Sequence, residues 1–380
     1  MIDRIANVVK TVRQREASSL DDLAARSGVP LSTLLALENG QPGITTDQLD
    51  DVARALSLDP VGLLGGNEVP RVLPSVFLRH SPLQDFNADD SSALDYALEQ
   101  GRHLSNLRAL LREPASALQA KVFENRLTST DHPEAPAKEA YRLAGTVRKW
   151  IGNTAAPIKD LGILVEEKFG VAILVLVLET NRSAAASVRA EESAAIVLND
   201  RDLQRLANPL LARVHLAHEL CHLLFDPSEG GLHIVIDNFV DRKAHAAEQR
   251  AKAFAAEFLL PLDGLVQLLG NPRGVSEIKA GQDLVAKARA HFGTPHEITA
   301  NHLCNLNFVD LRLRERLENE RTPFSGPAPE TRLPSTGAPS RLVAEYIHRA
   351  YREGFLTDGE ARGALGLDRL APLPWDETAL

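Results

Sequence analysis

Two histidines four residues apart, His218 and His222, flank Glu219 in the run Arg213-Val-His-Leu-Ala-His-Glu-Leu-Cys-His-Leu-Leu-Phe-Asp226. On an α-helix, side chains at i and i+4 lie one above the other, so both imidazoles project from one face and can reach a single metal ion. Glu219 then points alongside them. Two nitrogen donors, a neighbouring carboxylate and a coordination position left open are what a catalytic zinc centre requires.

The segment that must position these groups carries its own helix signals. Asn208 suits the N-cap, Pro209 the first helical position, and Asp226-Pro227 the end. Leu211, Val214, Ala217, Leu220, Leu224 and Phe225 supply an apolar stripe, which predicts a helix seated in a core with the histidines at its edge.

A third ligand has to come from further along the chain, where His233, Asp237, His245, Glu248 and Glu257 are the candidates. The pattern predicts a helix over 241–260, stopped by Pro261. At about 100 degrees per residue, Ala244, Ala251, Ala255, Phe258 and Leu259 share a face and Glu248 lies at its edge, whereas Glu257 lies about half a turn away from Glu248. A carboxylate beside small alanines can reach a metal on a close-packed neighbouring helix, which makes Glu248 the best candidate. His215, three residues before His218, and His233 are candidates for a supporting contact or for stabilising an oxyanion.

The chain of 380 residues is long enough for two or three domains, and its hydrophobic fraction of 44% is ordinary for a globular protein. A net charge of -9 argues against a chain devoted to wrapping nucleic acid. Cys221 and Cys304 are distant in sequence and form no disulfide framework. The amino terminus has no apolar signal region and no run is long enough to span a bilayer, so a cytoplasmic protein without a membrane partner is expected.

Near the amino terminus, Ser19 caps one helix that runs to a turn at Gly28, and a second helix follows from Leu31 to Glu38. Leu23-Ala24, Gly28-Val29, Glu38-Asn39-Gly40 and the closing stretch 49–64 resemble the XRE family of helix-turn-helix domains. That resemblance implies DNA binding through the second helix, where Ser32 and Thr33 are the candidate contacts. The helix has no basic residue, and residues 1–66 hold six basic against nine acidic side chains. DNA, a second copy of the chain in a homodimer, and a protein partner are therefore the three readings of this domain.

The segment from His218 to His222, preceded by Leu216-Ala217, and the later run Glu248-Gln-Arg-Ala-Lys-Ala-Phe-Ala-Ala-Glu-Phe-Leu-Leu-Pro261 resemble the ImmA/IrrE family of metallopeptidase-type proteins. The likeness extends over about 137–318 and includes 295–306 as a closing helix. It implies zinc, or manganese in its place, held by His218, His222 and Glu248, with Glu219 as general base for amide hydrolysis. It also implies a regulatory protein of repressor or antitoxin type as substrate. Two positions depart from the family pattern: Cys221 stands where glycine is usual, and Lys252 where Asn or Asp is usual, one helical turn from Glu248.

The expected architecture is multidomain and mainly α. A helix-turn-helix domain (1–66) precedes a connector with a bridging helix (67–136), an α+β zincin-like metallopeptidase domain (137–319), a Pro-, Ser- and Gly-rich flexible linker (320–340) and a small helical tail (341–380). Strands are expected at 171–178 and 194–199, with the second as an edge strand open to an extended peptide, and a further strand at 233–239. The alternative to a peptidase is a DNA-binding transcriptional regulator in which the peptidase fold is a non-catalytic sensor or scaffold.

Overall fold

The computed structural model describes residues 2–15, 19–56, 88–123, 135–178, 184–190, 193–200, 208–226, 232–236, 242–327, 329–367 and 371–375, and at 3, 4, 11, 12, 14, 15, 54, 88, 89, 91, 232–236 and 242–245 the backbone alone. The chain divides into two compact units, Met1–His80 and Ser81–Leu380. The end of the expected first domain, the proline-containing connector at 70–82, His132 and Asp237 lie outside the described residues.

Among its described residues the first unit holds four helices, α1 (Ile2–Arg15), α2 (Leu20–Ser27), α3 (Leu31–Glu38) and α4 (Thr46–Ala55). Ser19 and Asp22 form a reciprocal capping box at the start of α2, and Gly28 ends it at φ 69°, a left-handed conformation open to glycine at little cost. Ile5, Val9, Leu23, Leu34, Leu37 and Val52 meet in its core. Arg13 on α1 grips Glu38 on α3 through two bonds of 2.6 and 2.8 Å.

The second unit opens with α5 (Ala88–Leu110) and α6 (Pro136–Trp150), and a short α7 (Leu161–Leu164) continues into a π turn (Val165–Phe169). The strands are β1 (Val171–Leu176), β2 (Ala185–Ala190), β3 (Ser193–Asn199) and β4 (Leu232–Ile236). Between β3 and β4 runs α8 (Pro209–Phe225). After β4 come α9 (Arg242–Leu259), α10 (Leu262–Leu269), α11 (Ile278–Phe292), α12 (His296–Asn305) and α13 (Leu311–Asn319). The chain closes on α14 (Arg341–Arg352) and α15 (Asp358–Ala364).

The four strands form one sheet in the order β1-β3-β2-β4, parallel between β1 and β3 and antiparallel elsewhere. β1 is buried along its whole length, as a Val- and Leu-rich strand covered on both faces must be. Helices α5 and α8 both pack on the sheet, and α9 packs against α8 and α6. At Gly101 of α5 an added Cβ would come within 2.7 Å of the Ala194 carbonyl oxygen, so this glycine lets the helix lie directly on β3.

Three expectations are corrected. β3 is internal, flanked by β1 and β2, so it is not an edge strand; β2 was not among the expected strands, since Ala185-Ala-Ser-Val-Arg-Ala190 has weak strand propensity, and pairing on both sides makes it one. Helix α5, read as a bridge between domains, belongs to the second unit and packs on its sheet. The described residues of 320–340 are held against the second unit. Arg289 donates to the Thr322 carbonyl at 2.6 Å, Gly326 abuts Ala290, and the Gly337 N–H reaches the Val175 carbonyl of β1 at 2.9 Å. The small and proline residues that suggest flexibility serve close approach here, and they satisfy part of the edge of β1.

Candidate metal centre and cleft

Helix α8 begins as its sequence dictates, with the Asn208 side chain accepting from the Leu210 N–H at 3.1 Å and Pro209 next. It ends at Phe225, which packs edge-on against Phe123 and Phe254 at centroid separations of 5.9 and 5.7 Å. Both ends are fixed, and the helix is buried over most of its length.

His218 and His222 face Glu248, which α9 brings alongside. The His218 and His222 Nε2 atoms are 3.1 Å apart, and Glu248 Oε2 and Oε1 lie 3.2 and 3.3 Å from them respectively. All three residues are buried, and one donor atom from each falls within 4.8 Å of the others. Ligand atoms around tetrahedral zinc sit roughly 3.3 Å apart, given Zn–N and Zn–O distances of about 2.0–2.2 Å. The donor set therefore fits a divalent ion in spacing and in chemistry. Glu257, a rival candidate from the same helix, is turned away, accepting from the Leu262 N–H at 3.0 Å and lying 3.1 Å from His302.

Behind the histidines lies a second layer. His222 Nδ1 is 2.7 Å from Asp226 Oδ2, Arg250 bonds the other Asp226 oxygen, and Arg250 is also 3.7 Å from Glu139. An imidazole that donates from Nδ1 to a carboxylate keeps the Nε2 lone pair for a metal. Burial works against charge on His222, but Asp226, Glu248 and Glu219 outweigh it and raise its pKa to about 10. Cys221 is buried, and burial with Asp226 nearby keeps it a thiol well above its usual pKa, which fits a packing residue.

Glu219 is 2% exposed, and burial raises its carboxyl above the usual range. His218, His222 and the hydroxyl of Ser187 on β2 favour its ionised form, and Glu248 opposes it. A buried carboxyl whose pKa is raised takes up a proton more readily than an exposed one, which suits a group that accepts a proton and passes it on. Glu219 and His218 line a cavity of about 490 Å³, together with His215 and Lys252. The cavity is walled on its other side by α12, through Ile298, Asn301 and His302 among others.

His302 was not singled out from the sequence. It is 1% exposed, with Nε2 3.0 Å from the Leu260 carbonyl and Nδ1 3.2 Å from the Tyr141 hydroxyl. Its partners come from two segments distant in the sequence, so no local spacing could have signalled it. His233 pairs through its backbone in β4 with Arg189 of β2, and its side chain, like that of His245, lies outside the described atoms. In the first unit, Ser32 is exposed and Thr33 half-buried on α3, beside Leu31 and Leu35 at 36% and 44% exposure.

Residues 166–303 match the family model of the IrrE N-terminal-like domain, Peptidase M78, and residues 9–63 match a helix-turn-helix family model. No curated protein matches the chain. The matched segments contain the centre and α3 respectively, so the chain carries a metallopeptidase-type domain and an XRE-type helix-turn-helix domain. Among the described residues no helix is long and apolar enough to cross a membrane.

Proposed function

We propose that this chain, with its peptidase M78 and helix-turn-helix domains, is a zinc-dependent endopeptidase that cuts a specific regulatory protein of repressor or antitoxin type. The observation that carries the reading is the convergence of His218, His222 and Glu248 beside the buried Glu219, with His218 and Glu219 lining a cavity. His218, His222 and Glu248 would hold the ion, zinc in the first place and manganese as the alternative. When bound, a divalent ion supplies Lewis acidity and lowers the pKa of water toward neutrality.

The protein's own groups do the rest. Glu219 takes a proton from the attacking water and delivers it to the amine as the amide bond breaks. Asp226 holds His222 in the tautomer that presents Nε2. His215 and Lys252 line the same cavity and are placed to meet negative charge on the substrate carbonyl. His233 on β4 is a second group for that role. β4 is the outer strand beyond β2 in the described sheet, so an extended peptide can add to it by main-chain hydrogen bonds.

The helix-turn-helix unit supplies recognition, with Ser32 and Thr33 on its second helix as the contacts for DNA or a protein partner. The free thiols of Cys221 and Cys304 suit a cytoplasmic location.

The test is co-expression of the full chain with each protein encoded beside it, followed by mass spectrometry of that protein. A single defined cut that disappears with Glu219→Gln supports the proposal. An intact neighbour, together with a purified chain that takes up no zinc, favours the sensor or scaffold reading.

A further inference from the structure

Strand β2 lies against α8, and its side chains alternate between the two faces of the sheet. Ala185, Ser187 and Arg189 therefore share a face, and it is the face turned to α8. At one end Ala185 lines the same cavity as His215 of α8; at the other, the Arg189 guanidinium donates to the Leu223 carbonyl of α8 at 3.0 Å. Two residues along a strand span about 6.6 Å and four along a helix about 6 Å, so strand and helix keep step between these contacts. The residue midway on the strand is Ser187, and midway on the helix it is Glu219.

Each of these two groups needs the other. Ser187 is 0% exposed and Glu219 2%. Ser187 Oγ and Glu219 Oε2 are buried atoms that no other group among the described residues answers. The backbone of β2 is taken up by pairing with β3 and β4, which leaves the Ser187 hydroxyl to look toward the helix. A hydroxyl has a proton to give and an ionised carboxylate only accepts, so the two are complementary, and the Ser187 hydroxyl is a hydrogen-bond donor to the Glu219 carboxyl. The strand neighbours of Ser187 are Ala186 and Val188, and a third apolar residue would satisfy packing at this site equally well. The hydroxyl is what calls for a role.

We propose that Ser187 is a positioning residue for Glu219: its hydroxyl donates to Oε2 and fixes the plane of the carboxylate, so that Oε1 is the oxygen presented to the attacking water. The catalytic half of this inference rests on the peptidase reading, whereas the hydrogen bond does not. With one oxygen tied to the sheet, the carboxylate no longer turns about its last bond, and proton transfer starts from a single geometry. Arg189 fastens the turn of α8 that carries His222 to the same strand, so β2 aligns the base and the metal-binding turn together.

The experiment has two readouts on the zinc-loaded full chain. The first is a double-mutant cycle of Ser187→Ala and Glu219→Ala in denaturant unfolding. Both tryptophans, Trp150 and Trp375, lie in the second unit, so their fluorescence follows that unit. The two substitutions should be non-additive by about tenfold or more in the unfolding equilibrium constant, as for a buried hydrogen bond to a charged group. Glu219→Met, closer in volume to the parent, takes the place of Glu219→Ala where that protein does not fold. Additive effects overturn the pairing. The second readout is steady-state cleavage of the neighbouring protein that the parent cuts. Ser187→Ala should lower kcat about 10–100-fold with KM and zinc content unchanged, and Ser187→Thr, which restores a hydroxyl, should recover most of the loss. An unchanged kcat in Ser187→Ala, or a fall that Ser187→Thr does not repair, overturns the positioning role. A chain that shows the coupling but cuts no protein overturns the peptidase reading and leaves the pairing of Ser187 with Glu219 standing.

Discussion

Asp226 Oδ2 lies 2.7 Å from His222 Nδ1, and Arg250 holds the other oxygen of the same carboxylate. The pair makes the orientation of a central imidazole depend on a residue at the end of the helix and on another from α9. Asp226→Asn keeps the shape but removes the charge that fixes the tautomer. Zinc affinity, measured by competition with a chelator, is expected to fall about 10–100-fold. An unchanged affinity would show that packing alone orients His222.

A second carboxylate governs how the C-terminal helices dock. Glu166 is 1% exposed, accepts from Ser340 at 2.5 Å, and lies 3.1 Å from Arg341 Nε. Burial raises its pKa, against Ser340, Arg341 and the Leu342 N–H, which lower it. A carboxyl whose folded pKa exceeds its unfolded value favours folding in its neutral form. That contribution is complete below the unfolded value of about 4.3 and is lost as pH rises through the folded value. Denaturant unfolding of the parent and of Glu166→Gln between pH 4 and 7 should show the parent losing stability relative to the variant as pH rises. A parent that gains on the variant with rising pH would mean that pairing with Arg341 outweighs burial.

The first unit predicts a particular salt response. Helix α3 exposes Leu31, Ser32 and Leu35 and carries no basic residue, so few phosphates are neutralised by any duplex it binds. Mobility shifts across salt concentrations, using DNA from upstream of its own gene, should give a slope of log affinity against log salt no steeper than about −3. A slope near −6 would place an extensive phosphate contact surface on this unit.

Much of this architecture was legible in the sequence because it is written in local chemistry. Asn208 and Pro209 announce α8, Ser19 and Gly28 bound α2, and the alanine-lined phase of α9 singles out Glu248, which the structure brings to His218 and His222. What escaped depends on partners distant in the chain. β2 is a strand because β3 and β4 pair with it, and 320–340 is ordered by contacts to Arg289, Ala290 and Val175. Asp226 was read only as a helix end, since its link to Arg250 spans 24 residues, and His302 meets Tyr141 across 161.

The central claim separates two functions that the same short run of α8 performs, holding the ion and moving the proton. Zinc content by mass spectrometry, measured beside cleavage of the proteins encoded next to the chain on co-expression, tests it most directly. The parent and Glu219→Gln should each hold about one zinc per chain, His218→Ala and Glu248→Ala should hold little, and only the parent should cut. A Glu219→Gln protein that still cuts, or a His218→Ala protein that retains zinc with unchanged affinity, would contradict it.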